Sequence, residues 1–273
     1  MSFYEKMMTL DRRWVYLCVG IAVAVPLFVP FTVPVSVTPE VRSVYDFVES
    51  LKEGDRLFIA IDYDPTVMAE LQPMSLTIMR QCFAKGVKLI ISALHQNGPG
   101  MAEQLVSLVS KEFDKKSGVD YCYLGYKPYP GLTILAMGQN FRIPFPQDYY
   151  GVSLDSMPMM QGVRNYDQVK AIIAMEAGWV ADSWIRDANG RYKVPVALGV
   201  TGVMAADYFQ YLPSKQIFGL MGGLKGAAEY ESLAKQKERQ ATGRMKVQTI
   251  AHIMVIIFIV IGNVGFFMSK RKK

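Results

Sequence analysis

Cysteine is scarce. The chain has three in 273 residues and no C-x-x-C pair, which rules out a disulfide framework and a cysteine zinc cluster. Histidine is scarcer, with only His95 and His252. The phosphate-cradling patterns G-x-G-x-x-G and G-x-x-x-x-G-K-[ST] do not occur, nor does the G-x-S-x-G of a nucleophile elbow. Gly 22 and Pro 14 are too few for collagen or for a long disordered tract. Charge is also thinly spread, with 20% Asp, Glu, Lys and Arg and a net +6. Residues 38–246 are nearly balanced, and most of the excess sits in Lys270, Arg271, Lys272 and Lys273. A folded basic face, the footprint of nucleic-acid binding, is therefore not expected.

What the chain has is apolar length. Residues 14–37 carry no charge, and 249–268 form a second uncharged run of about the 20 residues that cross a bilayer core. Both read as transmembrane segments. Pro26, Pro30 and Pro34 punctuate the first, so regular helix is expected over 14–25 and kinked or extended chain beyond. Ala22-Val23-Ala24 would suit a signal-peptide cleavage site, but the apolar run continues past it, which favours an anchor. The expected order is a cytoplasmic tail at 1–13, a span at 14–37, a domain at 38–246, a span at 247–268 and a basic cytoplasmic tail at 269–273. Arg12 and Arg13 abut the first span, and Glu40, Asp46 and Glu49 follow it. By the positive-inside rule the domain lies outside, in a bacterial inner (cytoplasmic) membrane. Lys235, Lys237, Arg239, Arg244 and Lys246 flank the second span on its domain side and pull the other way.

Within the domain, Thr38-Pro39-Glu40 reads as a helix start, running to Lys52 and stopping at Gly54. Arg56-Leu57-Phe58-Ile59-Ala60-Ile61-Asp62 reads as a strand covered on both faces. A helix from Pro73 to Lys85, with Gly86 as its stop, leads to a strand at 87–94. Met101, Leu105, Leu108 and Val109 have helical spacing. Strands are expected at 119–124, 132–137 and 193–200, helices at 166–177 and 223–236, and a long ordered loop over 138–165. Alternating strands and helices imply an α/β, Rossmann-like, mostly parallel sheet with helices on both faces.

Asp62-Tyr63-Asp64-Pro65-Thr66 closes the first strand, where open α/β sheets place ligands. It resembles the first motif of haloacid-dehalogenase-type phosphatases, DxDx[TV]. That resemblance implies Asp62 as a nucleophile and a magnesium held with Asp64. The chain departs from the pattern in having no flap segment after Thr66, and Asp182 and Asp187 would have to supply the later acids. The plainer reading is a turn in which Asp64 caps the following chain. His95 follows the second strand, and Gly125-Tyr126-Lys127-Pro128 the third, so His95, Tyr126 and Lys127 are ligand candidates beside Asp62 and Asp64. No metal site and no cofactor is expected.

Gly219, Gly222, Gly223 and Gly226 have overlapping small-xxx-small spacing and predict a helix packed closely on another element, inside the domain or in a subunit contact. Anion binding through Lys225 is the alternative. Cys82 and Cys122 read as buried small residues, and Met157, Met159 and Met160 as fillers of an irregular core. Asn263, deep in the second run, would bond to another span or to its own backbone.

In combination, LDRRWVYL, DYDPTVMAELQPM, YLGYKPYPG and GLMGGLKGAAEYE before a last span containing IGN resemble a family of uncharacterised bacterial membrane proteins. At the level of fold, a domain between two spans is similar to the extracytoplasmic domain of gliding-motility-type ABC transporter auxiliary subunits. Neither likeness brings an activity with it. Two tethers, no complete catalytic constellation, a glycine-rich packing helix and polar residues in a span point instead to a non-enzymatic, membrane-anchored subunit or scaffold of an envelope complex. Its partners would be other membrane proteins or further copies of itself. The alternatives are a membrane-held small-ligand receptor using the strand-end crevice, and a metal-dependent phosphate-ester hydrolase.

Overall fold

The computed structural model describes residues 11–29, 34–236 and 239–270. The chain divides into two compact units, Val35–Ala241 and the two termini that flank it.

Val35–Ala241 is a three-layer α/β domain. Its strands are β1 (Arg56–Asp62), β2 (Lys88–Ser92), β3 (Tyr121–Gly125), β4 (Ile172–Glu176), β5 (Val196–Val200) and β6 (Gly219–Gly222). All neighbours pair in parallel, in the order β3-β2-β1-β4-β5-β6. This is the doubly wound Rossmann-like arrangement, and its order reverses between β1 and β4, where a crevice opens at the strands' carboxyl ends. The strands are short apolar runs because both faces are covered.

One face packs on α2 (Pro39–Ser50), α3 (Met68–Ala84), α4 (Pro99–Glu112) and α8 (Gly223–Leu233). Gly199 in β5 leaves room there for the sulfurs of Met74 and Met175. Phe58, Ala60, Ile90, Ile172, Ala174, Val196 and Leu198 face the other way. They share one core with α5 (Pro130–Gln139), with residues 141–169, and with a helix over 180–192. That last helix, α6, is α-helical at Val180–Ser183, π-helical at Trp184–Asn189 and α-helical again at Gly190–Tyr192. Met157, Met159 and Met160 fill this core, and Cys82 and Cys122 are buried, as expected. A short α7 (Ala205–Tyr208) follows β5.

Several elements differ from the sequence reading. Residues 132–137 belong to α5, not a strand. A continuous apolar run fits a buried helix equally well, and Pro130 at the helix start decides the matter. The expected helix at 166–177 is one 3₁₀ turn (Tyr166–Gln168) followed by β4. α3 starts five residues before Pro73, because Pro65–Val67 forms a 3₁₀ turn that runs straight into it. Thr38 does not cap α2 with its hydroxyl. Its N–H and Oγ1 both donate to Glu229 Oε2 on α8, at 2.8 and 2.6 Å. The expected glycine-striped helix is half strand. Gly219 and Gly222 lie in β6, and only Gly223 and Gly226 belong to α8. The close packing is real nonetheless. A Cβ on Gly219 would strike Val44, and one on Gly226 would lie 2.8 Å from the Met221 backbone.

In the terminal unit, α1 (Arg12–Phe28) continues through Pro26 and is capped by Asp11, which accepts from the Arg13 N–H. α9 (Gln240–Lys270) is the one helix among the described residues long and apolar enough to cross a membrane, over Gln240–Met268. At 1.5 Å per residue, that stretch exceeds the roughly 30 Å of a hydrocarbon core. α1, with 17 residues, reaches only about 25 Å, so the two-span expectation is met by one helix. Residues 30–33 and 271–273, including Pro30 and most of the basic tail, lie outside the described residues. Asn263 Nδ2 donates to the Ile259 carbonyl one turn back, at 2.8 Å, so one of its amide N–H groups is bonded within its own helix.

Candidate functional site

Strand pairing sets Asp62, the last residue of β1, directly opposite Glu176, the last of β4. Period-2 alternation points both at the face covered by α6. Asp62 is 1% exposed and Glu176 0%. One Asp62 oxygen accepts the Leu94 N–H, and the other accepts Trp184 Nε1–H at 2.9 Å. Burial raises the Asp62 pKa, while bonds from Glu176, Trp184 and Leu94, and the nearby His95, oppose that rise. Glu176 is pushed well above the ordinary carboxyl range, first by burial and then by the Asp62 charge. Glu176 lies close enough to Asp62 and to the Trp184 indole for both to act on its carboxyl, with Trp184 opposing the rise. Burial and the facing Asp62 carboxylate both favour the neutral acid, the form that can donate a hydrogen bond to Asp62. The pair stands at the point where the sheet order reverses, and Glu176 is the member more strongly biased toward its protonated form.

This pair holds two walls of a cleft. Leu94, at the end of β2, is tied to Asp62 through its N–H, and α6 is tied through Trp184. Between them opens a cavity of about 310 Å³ lined by Leu94, His95, Gln96, Tyr126, Tyr129, Pro130, Trp179 and Val180. Trp179 is 65% exposed and Tyr129 74%. Tyr129 sits in the left-handed region (φ 58°, ψ 67°) at the start of α5. An aromatic residue held there stores strain of the kind that collects at functional sites. Gly98 lets the β2–α4 loop settle on the end of β1, where a Cβ would lie 3.0 Å from the Ile61 carbonyl.

The structure thus brings His95 and Tyr126 into one cleft, with Asp62 beneath it. Asp64 stands apart. Its Oδ1 accepts from the Thr66 N–H and hydroxyl, at 2.8 and 2.5 Å, and these bonds lower its pKa. It caps the 3₁₀ turn, and Asp64→Asn should therefore change stability by less than about 1 kcal/mol in chemical denaturation. Lys127 lines a neighbouring cleft of about 340 Å³ with Gly125, Phe145, Gln147, Asp148 and Tyr149, and Tyr126 belongs to both clefts. Asp182 accepts from the Tyr208 hydroxyl at 3.2 Å, and Asp187 pairs with Arg186. Neither joins Asp62 and Asp64 in one cluster. Among the described residues, no group of three or more Asp, Glu, His or Cys side chains is arranged to hold a metal ion. Lys225 Nζ pairs with Glu229 Oε1 at 2.5 Å.

Sequence reasoning missed Glu176, Trp184, Trp179 and Tyr129. The signal for Glu176 was present, because Ala171-Ile172-Ile173-Ala174-Met175-Glu176 repeats the buried-run-then-acid pattern of β1. Trp184 gave no such signal, since its partner is 122 residues away. No family model, curated protein or solved structure matches this chain.

Proposed function

We propose that this protein is a membrane-held receptor whose α/β domain binds a small ligand in the cleft above the Asp62–Glu176 pair. The observation that carries the reading is the cleft itself. It stands at the carboxyl ends of the strands, where doubly wound sheets take ligands. Its walls are pinned from below, and exposed aromatic rings stand at its mouth. Asp62 acts as a positioning residue. His95, Tyr126 and Trp179 make the contacts, and Lys127 serves the adjoining cleft. A second membrane span at 14–37, an extracytoplasmic domain and a bacterial inner-membrane location belong to the same proposal, on the charge argument above.

A second reading is a scaffold subunit of an envelope complex. It is favoured by Leu132 and Val203, large apolar side chains exposed in the loops and helix start at the same end of the sheet. Native mass spectrometry of the full chain, gently extracted from its membrane, separates the two. The receptor reading predicts a small-molecule mass increment that disappears in Trp179→Ala. A protein partner retained equally by wild type and Trp179→Ala, with no small molecule, would favour the scaffold.

A further inference from the structure

We infer that the cleft takes an uncharged saccharide, a ligand of one or two pyranose rings; this rests on the receptor reading above. The first argument is charge. No Asp, Glu, Lys or Arg lines the cleft, so a charged ligand would be desolvated without compensation. A nucleotide fits least, because its phosphates need a glycine-rich turn or cations, and the turn after β1 offers Asp64 instead.

The second argument is the kind of surface presented. Among the described residues Tyr126, Tyr129 and Trp179 pair with no other ring, and all three are exposed at the cleft. The electron-rich face of an aromatic ring suits the weakly positive C–H groups on one side of a pyranose. Around those faces stand neutral groups with hydrogen-bonding capacity to spare. The Gln96 amide, the two tyrosine hydroxyls and the Trp179 indole N–H make no hydrogen bond among the described residues. His95 accepts only from the Asn97 N–H, at its Nδ1, which leaves Nε2 free. Such groups can donate to or accept from hydroxyls with no cost in charge burial. A ligand that is apolar on its ring face, hydroxylated at its rim and neutral matches all three properties. The volume of about 310 Å³ suits one or two such rings.

The test uses the full chain in a non-glycosidic detergent, with cellobiose, maltose and the neutral diacetylated chitobiose as saccharide probes and adenosine as a neutral nucleoside. Saturation-transfer NMR should show magnetisation passing to the ring C–H protons of at least one disaccharide. Affinity should fall about tenfold or more in Trp179→Ala and in Tyr126→Ala. Both residues are exposed, so unchanged thermal unfolding of the variants confirms that the fold is intact. A response to adenosine alone would overturn the saccharide assignment and leave the receptor reading standing. Silence from every probe, or disaccharide binding indifferent to both variants, would overturn it as well. If native mass spectrometry also shows no small molecule, the receptor reading fails with it.

Discussion

Replacing Asp62 with alanine is expected to destabilise the domain by about 2–5 kcal/mol and to loosen both walls of the cleft. Two donors converge on this carboxylate, the Leu94 N–H and Trp184 Nε1–H, and Glu176 faces it across the sheet. A buried donor left without a partner costs about 1–3 kcal/mol. Removing the buried charge gives something back, because Asp62 is itself desolvated. Two orphaned donors outweigh that relief, and alanine also leaves a void beneath Trp184. Chemical denaturation of the full chain in detergent measures the loss. A variant within about 0.5 kcal/mol of wild type would mean that the carboxylate holds nothing in place.

The second large effect depends on pH. Both carboxyl groups of the pair have folded-state pKa values raised above their unfolded values, Glu176 the more strongly. Between the unfolded and folded values the native state binds more protons than the unfolded chain. Stability is therefore greatest at mildly acidic pH and falls as pH climbs through the raised values, by up to about 1.4 kcal/mol per pH unit per proton. Glu176→Gln is the neutral isostere of the acid. Its amide donates to Asp62 as the acid does, and it cannot ionise. The variant should match wild type below the unfolded carboxyl range and exceed it increasingly as pH rises from there toward the raised value, with the wild-type slope reduced. Parallel stability curves for the two proteins would show that Glu176 does not titrate as described.

The two halves of the sheet differed in how much their sequence disclosed. β1, β2 and β3 were readable because each is an apolar run bounded by glycine or a charge, with helical spacing between them. Past residue 130 that rhythm breaks. α5 is as apolar as a strand, β4 follows a 3₁₀ turn, and β6 is only four residues with glycine at both ends. Local pattern cannot resolve these elements, because pairing with distant neighbours decides them. The site divides in the same way. Asp62, His95 and Tyr126 stand at the ends of legible strands. Glu176, Trp179 and Trp184 come from the obscured half, so the pair could not be seen as a pair until the strand order was known. Asp64, two residues beyond the buried strand end, looked equivalent to Asp62 and is not. Its side chain turns back to Thr66.

The most direct test of the Asp62–Glu176 pair as the clasp of the cleft is hydrogen exchange at the Leu94 amide, followed against pH in wild type and Glu176→Gln. The account predicts strong protection in both proteins at mildly acidic pH. As pH rises, protection should be lost early in wild type, beyond the ordinary base-catalysed increase, and retained in the variant. Identical protection of Leu94 in the two proteins at every pH would contradict it.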